Sequence, residues 1–457
     1  MEWALALVAL ALLGVAAVSR RLAGTPLTPA ILFVAFGLLV GPQVLDGIDL
    51  SSSGTTVRAL AETTLVLVLF SDASRIDLGA LRRTVGVPLR LLGIGLPLTI
   101  AVGAAVAAAV FDVLTLGEAV ILAVVLAPTD AALGQAVVTH PRVPQRIRQG
   151  LNVESGLNDG ICVPLLFAAV AIADVESEIS HGRSPGTLLL EEIGYGVLGG
   201  VVAGLLIAAI VTQAGRRELI TASWRQVISV AGAALAYGLA SALDGSGFIA
   251  AFVAGMVFRL ALRRDPEELN QLTEELGAVL NGVTFVLFGA ILLGPALSDL
   301  TWQLAVYALL SLTLVRMLPV VIAMWGSHAR GPTLGFVGWF GPRGLASIVF
   351  AVIVVEESNL PHETLIVHTI YLTVGLSVLA HGLTAAPLAD RYARWYQQHP
   401  SGNAPPMESA PVEVTRPPGP ARQPTEPSAA ASAKGLPSES RHTAQRSPGC
   451  TTEPPSC

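Results

Sequence analysis

Charged side chains are scarce in this chain: Asp, Glu, Lys and Arg make up 13% of 457 residues, against 53% hydrophobic residues and a mean hydropathy of +0.65. That balance excludes an ordinary soluble domain. Cysteine is just as sparse. Cys162 lies inside an apolar run and Cys450 and Cys457 stand near the C-terminus, so no disulfide framework is expected. A secretory leader is not expected either, because the first apolar run follows Glu2 and precedes Arg20 and Arg21, the reverse of a leader's charge order. The formal net charge of −6 sums oppositely charged faces and points to no nucleic-acid partner, and no cofactor motif is present.

What the chain does have is apolar runs. Crossing the hydrocarbon core takes roughly 20 mostly apolar residues in a helix. Such runs fall near 3–18, 27–41, 57–72, 88–110, 115–138, 146–173, 188–213, 223–243, 246–262, 270–294, 302–325, 332–355 and 364–389. The fold class is therefore an all-α polytopic membrane protein with about 13 transmembrane helices. The connections alternate in charge. Arg20 and Arg21, Arg75 with Arg82, Arg83 and Arg90, Arg142 with Arg146 and Arg148, Arg216 with Arg217 and Arg225, Arg259 with Arg263 and Arg264, and Arg330 share one side. Asp46 and Asp49, Asp112 and Glu118, Asp174 with Glu176 and Glu178, Asp299, and Glu356 with Glu357 share the other, with Arg58 and Arg183 as outliers. The positive-inside rule then puts the N-terminus outside and the C-terminal tail in the cytoplasm of a cell membrane. Residues 391–457, rich in Pro, Ser and Ala, read as a disordered tail.

An ionisable group at mid-membrane costs at least ~2.5 to 3.5 kcal/mol and normally faces the bundle interior or a water-filled cavity. Helix 5 carries Thr129 and Asp130 in APTD, and helix 6 carries Glu154, Ser155, Asn158 and Asp159 in NVESGLNDG. Helix 11 carries Arg316, helix 12 carries Arg343 in GPRG, and Asp72 stands near the inner end of helix 3. Pro128 and the cluster Gly338, Gly341, Pro342 and Gly344 should interrupt helices 5 and 12. Seven positions apart, those two helices run in opposite directions. Oppositely directed interrupted helices in two halves of a chain mark a transporter site built from inverted repeats, here helices 1–6 and 8–13 with helix 7 between them. Asp130 suits the N-terminal half-helix ends and Arg343 the C-terminal ends. Both a structural ion pair and direct participation fit them.

On helix 6, spacings of four place Glu154 with Asn158 and Ser155 with Asp159 on adjacent stripes. Glu154 is the natural partner for Arg316, with Asn158 as hydrogen-bond support. Asp159, Ser155 and the unwound backbone at Thr129 could together offer a hard cation its oxygen ligands. Burial disfavours a bare carboxylate, so Asp159 holds either a proton or a cation, and that competition is an exchange mechanism. With Asn158 rather than a second aspartate beside it, one charge moves each way and exchange is electroneutral. Asp72 could line an inner access funnel or hold a turn before Arg75. His381 reads as a packing histidine near a helix break, and Glu62, Glu118 and Glu191 as solvated outer residues.

APTD, NVESGLNDG, the buried Arg316 and GPRGLAS, in that order, resemble the first subfamily of monovalent cation/proton antiporters, which contains archaeal and bacterial sodium/proton antiporters and the animal sodium/hydrogen exchangers. The similarity covers about residues 1–390. It implies a homodimer whose core, helices 4–6 and 11–13, moves against dimerisation and interface helices 1–3 and 8–10. It also implies Na⁺ or Li⁺ exchange for H⁺ at Asp159, with Thr129 and Ser155 as cation ligands and a Glu154–Arg316 pair. Asp72 matches the family's glutamate only in being a carboxylate, and Pro342 departs from the commoner GLRG. Three alternatives stay open: exchange of K⁺ instead, an intramembrane aspartyl protease using Asp130 and Asp159, and an ion sensor without turnover.

Overall fold

Within hydrocarbon a chain can satisfy its backbone N–H and C=O groups only internally, so apolar runs of this length close as helices. The computed structural model describes residues 2–22, 25–45, 54–75, 86–176, 185–262, 267–357, 360–399 and 408, and every regular element among them is helical. The chain divides into Met1–Val412 and Glu413–Cys457, the second outside the described residues. Also outside them are Asp46, Asp49, Arg82, Arg83, Glu178, Arg183, Arg263, Arg264, Cys450 and Cys457. Among the described residues seven helices are long and apolar enough to cross a bilayer, and four shorter ones are apolar.

In chain order the passages are α1 (Glu2–Leu22), α2 (Pro29–Val40), α3 (Gly54–Arg75), α4 (Gly86–Val110), α5 in two pieces (Leu116–Val125 and Gln135–Val138) and α6 (Gln145–Glu176). There follow α7 (Pro185–Arg216), α8 (Ala222–Ser241), α9 (Gly247–Leu262), α10 (Leu269–Ser298), α11 (Trp302–Ala323), α12 in two pieces (Gly331–Trp339 and Leu345–Glu357) and α13 (Glu363–Gln398). α4 and α10 each contain a wider π turn, Leu91–Gly95 and Phe288–Leu293, just ahead of Pro97 and Pro295. A proline lacks the N–H that would bond four residues back and crowds that carbonyl, and a wider turn relieves both.

Two boundaries differ from the hydropathy reading. α13 runs to Gln398, past the expected limit at residue 390. Its last turns carry few apolar residues but pack. Tyr392 stacks on Phe336 with ring centroids 4.2 Å apart, and Trp395 stacks on Tyr392. One residue of the expected tail also docks: Glu408 is buried, accepts from Arg330 Nε at 2.9 Å and Nη2 at 2.6 Å, and accepts from Thr333 Oγ1 as well.

Packing falls into two groups. α3, α7, α8, α9 and α10 lie side by side, with α2 along the π turn of α10. α4 packs on the first piece of α5, α6 lies along α5, and α11 runs beside α4 and α13. The groups meet where α3, α7 and α9 touch α6, where α3 touches the second piece of α12, and where α13 touches α2 and α10. Phe70 of α3 and Phe258 of α9, both fully buried with centroids 5.9 Å apart, fill the first group. Ile121, Leu122 and Val125 of α5 and Val349 and Phe350 of α12 fill the second.

Candidate functional site

Pro128 denies α5 a donor where its next turn would close, and the helix stops at Val125, leaving residues 126–134 non-helical or in turns. The break is longer than a kink at Pro128, and only Gln135–Val138 returns to helix. α12 stops at Trp339 and restarts at Leu345. Each half-helix end would bury backbone groups without partners, and each break supplies what the other needs. Asp130 N–H donates to Pro342 O at 2.8 Å, which pins the crossing. Asp130 Oδ2 accepts Leu345 N–H at 3.2 Å, at the positive N-terminal end of the second piece of α12, and Oδ1 accepts Ala132 N–H at 2.8 Å. Arg343 Nη1 donates to Ala127 O and Pro128 O at 3.1 and 3.2 Å, beyond the negative C-terminal end of the first piece of α5, where Ser347 Oγ donates to Val125 O. With both its oxygens on backbone N–H groups, Asp130 acts as a helix cap rather than as half of a proton-sharing aspartate dyad.

α13 holds the second break in place. Arg343 N–H donates to Ser377 Oγ at 2.6 Å, and His381 reaches both Ser377 Oγ (3.1 Å) and Trp339 O (2.9 Å). Nδ1 also lies 3.0 Å from Ser377 O, so a backbone carbonyl faces each ring nitrogen. Gly344 is required by contact: a β-carbon there would lie 2.7 Å from Asp130 Cβ and Cγ. Gly344→Ala should therefore push the Asp130 carboxylate off Leu345 N–H and destabilise the protein by about 1–3 kcal/mol. A melting temperature in detergent equal to wild type would refute that.

α6 faces the breaks from the side. Ser155 Oγ donates to Thr129 O at 2.6 Å and accepts Ala131 N–H at 2.8 Å, closing over the unwound segment of α5. Asn158 Nδ2 donates to Thr129 Oγ1 at 2.7 Å. This corrects the expectation that Asn158 supports Arg316. It shares a stripe with Glu154, but its short amide reaches the hydroxyl of the neighbouring break instead. Glu154 holds Arg316 alone and bidentately, at 2.6 and 2.9 Å, with both side chains buried. Arg316 also lies against Gly341, where a β-carbon would meet its Cζ at 2.7 Å.

Asp159 is 8% exposed, and its Oδ1 has no hydrogen-bond partner. Asn158 Oδ1, Arg316 Nε, and Arg343 Nε and Nη2 are likewise buried without partners. Native interiors leave few such atoms, and Asp159 lies within electrostatic reach of Asp130, Asp72 and Glu154. A cavity of about 20 Å³, room for one water, reaches Thr129, Asp130 and Ser155 past Leu151 and Phe340. Asp72 approaches α6 from α3, its Cβ 3.4 Å from where a β-carbon of Gly156 would stand. The sequence-derived residues thus gather at one crossing, and Asp159 brings to it a buried oxygen without a partner.

Sequence reasoning missed two features. Glu118 is 1% exposed, not solvated: it forms a capping box with Thr115 and accepts His362 N–H at 2.9 Å, tying the start of α5 to the approach to α13. The pattern TLGE, residues 115–118, carried that signal. Glu62, half-buried, accepts from Tyr237 Oη at 3.1 Å. The second miss is Phe252 of α9. A β-carbon on Gly160 would meet its ring Cγ and Cε2 at 2.5 Å, so the ring sits on the α6 backbone next to Asp159. No periodic signal sets it apart from other apolar residues.

A family model described as sodium/hydrogen exchanger, transmembrane, matches residues 7–391. Among curated proteins, the chain is 25% identical over 368 residues to a K(+)/H(+) antiporter NhaP2 of Shewanella oneidensis, covering 79% of this chain and 62% of that protein. It is 23% identical over 402 residues to a K(+)/H(+) antiporter NhaP of Alkalimonas amylolytica, covering 87% and 67%. It thus spans a little under two thirds of the length of the first of these. Among solved structures, the sodium proton antiporter MjNhaP1 of Methanocaldococcus jannaschii at pH 8 matches with a TM-score of 0.70 at 21% identity, over 86% of this chain and 98% of that one.

Proposed function

The chain belongs to the transmembrane sodium/hydrogen exchanger family, and from that premise we propose that it exchanges a monovalent cation for a proton across a cell membrane, with Asp159 as the shared carboxylate. The observation that carries the reading is Asp159 itself: a buried carboxylate with an unengaged oxygen, beside an unwound backbone. The Arg316 charge is already met by Glu154. A buried carboxylate of this kind is stable only as the acid or with a cation beside it. Asn158 Oδ1 and the oxygens of Thr129 and Ser155 lie on the same side and offer further ligands for the transported ion. We take Na⁺ or Li⁺ as the leading substrate. K⁺ is the second reading, favoured by the names of the curated relatives. The arginine-rich connections face the cytoplasm, and two copies pair in the membrane through the group containing α1–α3 and α8–α10 while the group containing α4–α6 and α11–α13 moves.

Proteoliposomes holding a proton gradient should lose it when Na⁺, Li⁺ or K⁺ is added, and the ranking of the three identifies the substrate. With one carboxylate exchanging one charge for one, clamping the vesicle potential at zero or at −100 mV should leave the rate unchanged, whereas a net moved charge would gain about 2.3 kcal/mol per 100 mV. No dissipation by any of the three cations would end the proposal, and a voltage-dependent rate would end its stoichiometry.

A further inference from the structure

Helical geometry places Asp159 on a seam. At about 100° per residue, Gly156 and Gly160 lie about 40° apart on one face of α6, and Ser155 and Asn158 lie on another, with Asp159 between them about 60° from Gly156 and about 40° from Ser155. The first face touches the other packing group, with Asp72 of α3 against Gly156 and Phe252 of α9 against Gly160. The second face grips the α5 break. The carboxylate with the unengaged oxygen thus lies where one group of helices slides past the other.

We infer that Phe252 is the water seal over Asp159 on the α9 side. Its ring, 7% exposed, lies directly on the bare backbone of Gly160, so no water layer separates α9 from α6 at the residue next to the carboxylate. An aromatic ring covers a large area at small entropic cost and carries no group that would compete for the ion. Glycine at position 160 is what lets it seat, because a β-carbon would meet the ring at 2.5 Å. Water reaches Asp159 from this side only when α6 and α9 shift and the ring leaves Gly160. The seal therefore couples access to the movement of one helix group against the other. The inference rests on the reading of Asp159 as the exchanging carboxylate.

The test uses the full chain in proteoliposomes. Phe252→Ala should let protons leak without added cation, roughly tenfold above wild type, the scale on which contacting residues couple. Phe252→Ala combined with Asp159→Asn should abolish the leak, since a general loosening of the bundle would leak with or without the carboxylate. Tight coupling at the wild-type rate in Phe252→Ala overturns the seal, as does a leak that survives Asp159→Asn. Should Phe252→Ala fail to fold, Gly160→Ala decides the matter. It should slow exchange roughly tenfold, and Phe252→Leu in that background should restore most of the rate by making room for the methyl. Equal loss in both overturns the seal. Exchange persisting in Asp159→Asn alone would instead end the antiporter reading, whatever Phe252 does.

Discussion

Replacing Asp159 with asparagine is expected to reduce cation-driven proton movement to the background of empty vesicles, a loss of at least roughly a hundredfold, as for removal of a positioned proton-transfer group. The substitution keeps the side chain's shape and one acceptor oxygen, so its volume in the site is retained. What disappears is the charge, and with it both the proton and the reason for a cation to enter. Stability should move the other way. A buried carboxylate with an oxygen lacking a partner opposes folding, and its amide does so less, so Asp159→Asn should melt no lower than wild type. Cation binding supplies a second readout. A ligand that binds only the folded state stabilises it by RT ln(1 + [L]/Kd), about 2.7 kcal/mol at a hundred times Kd. Wild type should therefore melt higher in saturating substrate cation than in choline, and Asp159→Asn should show no difference. A variant that still exchanges, or that the cation stabilises as much as wild type, would remove Asp159 from the mechanism.

The parts of this arrangement that were legible in the sequence are those in which a residue breaks a local rule. Pro128 and the glycines flanking Arg343 interrupt apolar helices, and charge at that depth needs a partner, so the crossing and the opposite placement of Asp130 and Arg343 follow from helix chemistry alone. Stripe arithmetic was less complete. It put Asn158 with Glu154 correctly in angle, but a break beside a helix brings in acceptors, here Thr129 Oγ1, that no angular rule anticipates. Hydropathy ended α13 too early because RYARWYQQ, residues 391–398, has no apolar run, although Tyr392 and Trp395 keep the helix docked by stacking. Phe252 was invisible for the opposite reason. It is one apolar residue in an apolar helix, and its position over Gly160 is a property of how two helices meet.

Glu154→Gln is expected to destabilise the protein by about 3–5 kcal/mol, because it leaves the Arg316 guanidinium buried with no counter-charge. The loss should appear as a large fall in melting temperature in detergent. Pairing alone does not say whether these residues serve the scaffold or the transport cycle, since a buried ion pair often contributes little net stability over apolar residues of similar volume. The double variant Glu154→Leu/Arg316→Met separates the two. It removes both charges while keeping bulk between α6 and α11, and methionine at 316 still lies along Gly341 beside the α12 break. If the pair only holds helices in register, the double variant should recover most of the stability lost in Glu154→Gln and keep cation/proton exchange within a fewfold of wild type. Recovery of stability without recovery of exchange would mean that the charges of the pair serve the transport cycle as well as the scaffold. A double variant no more stable than Glu154→Gln would show instead that the bidentate geometry, and not merely the cancelled charge, holds α6 to α11.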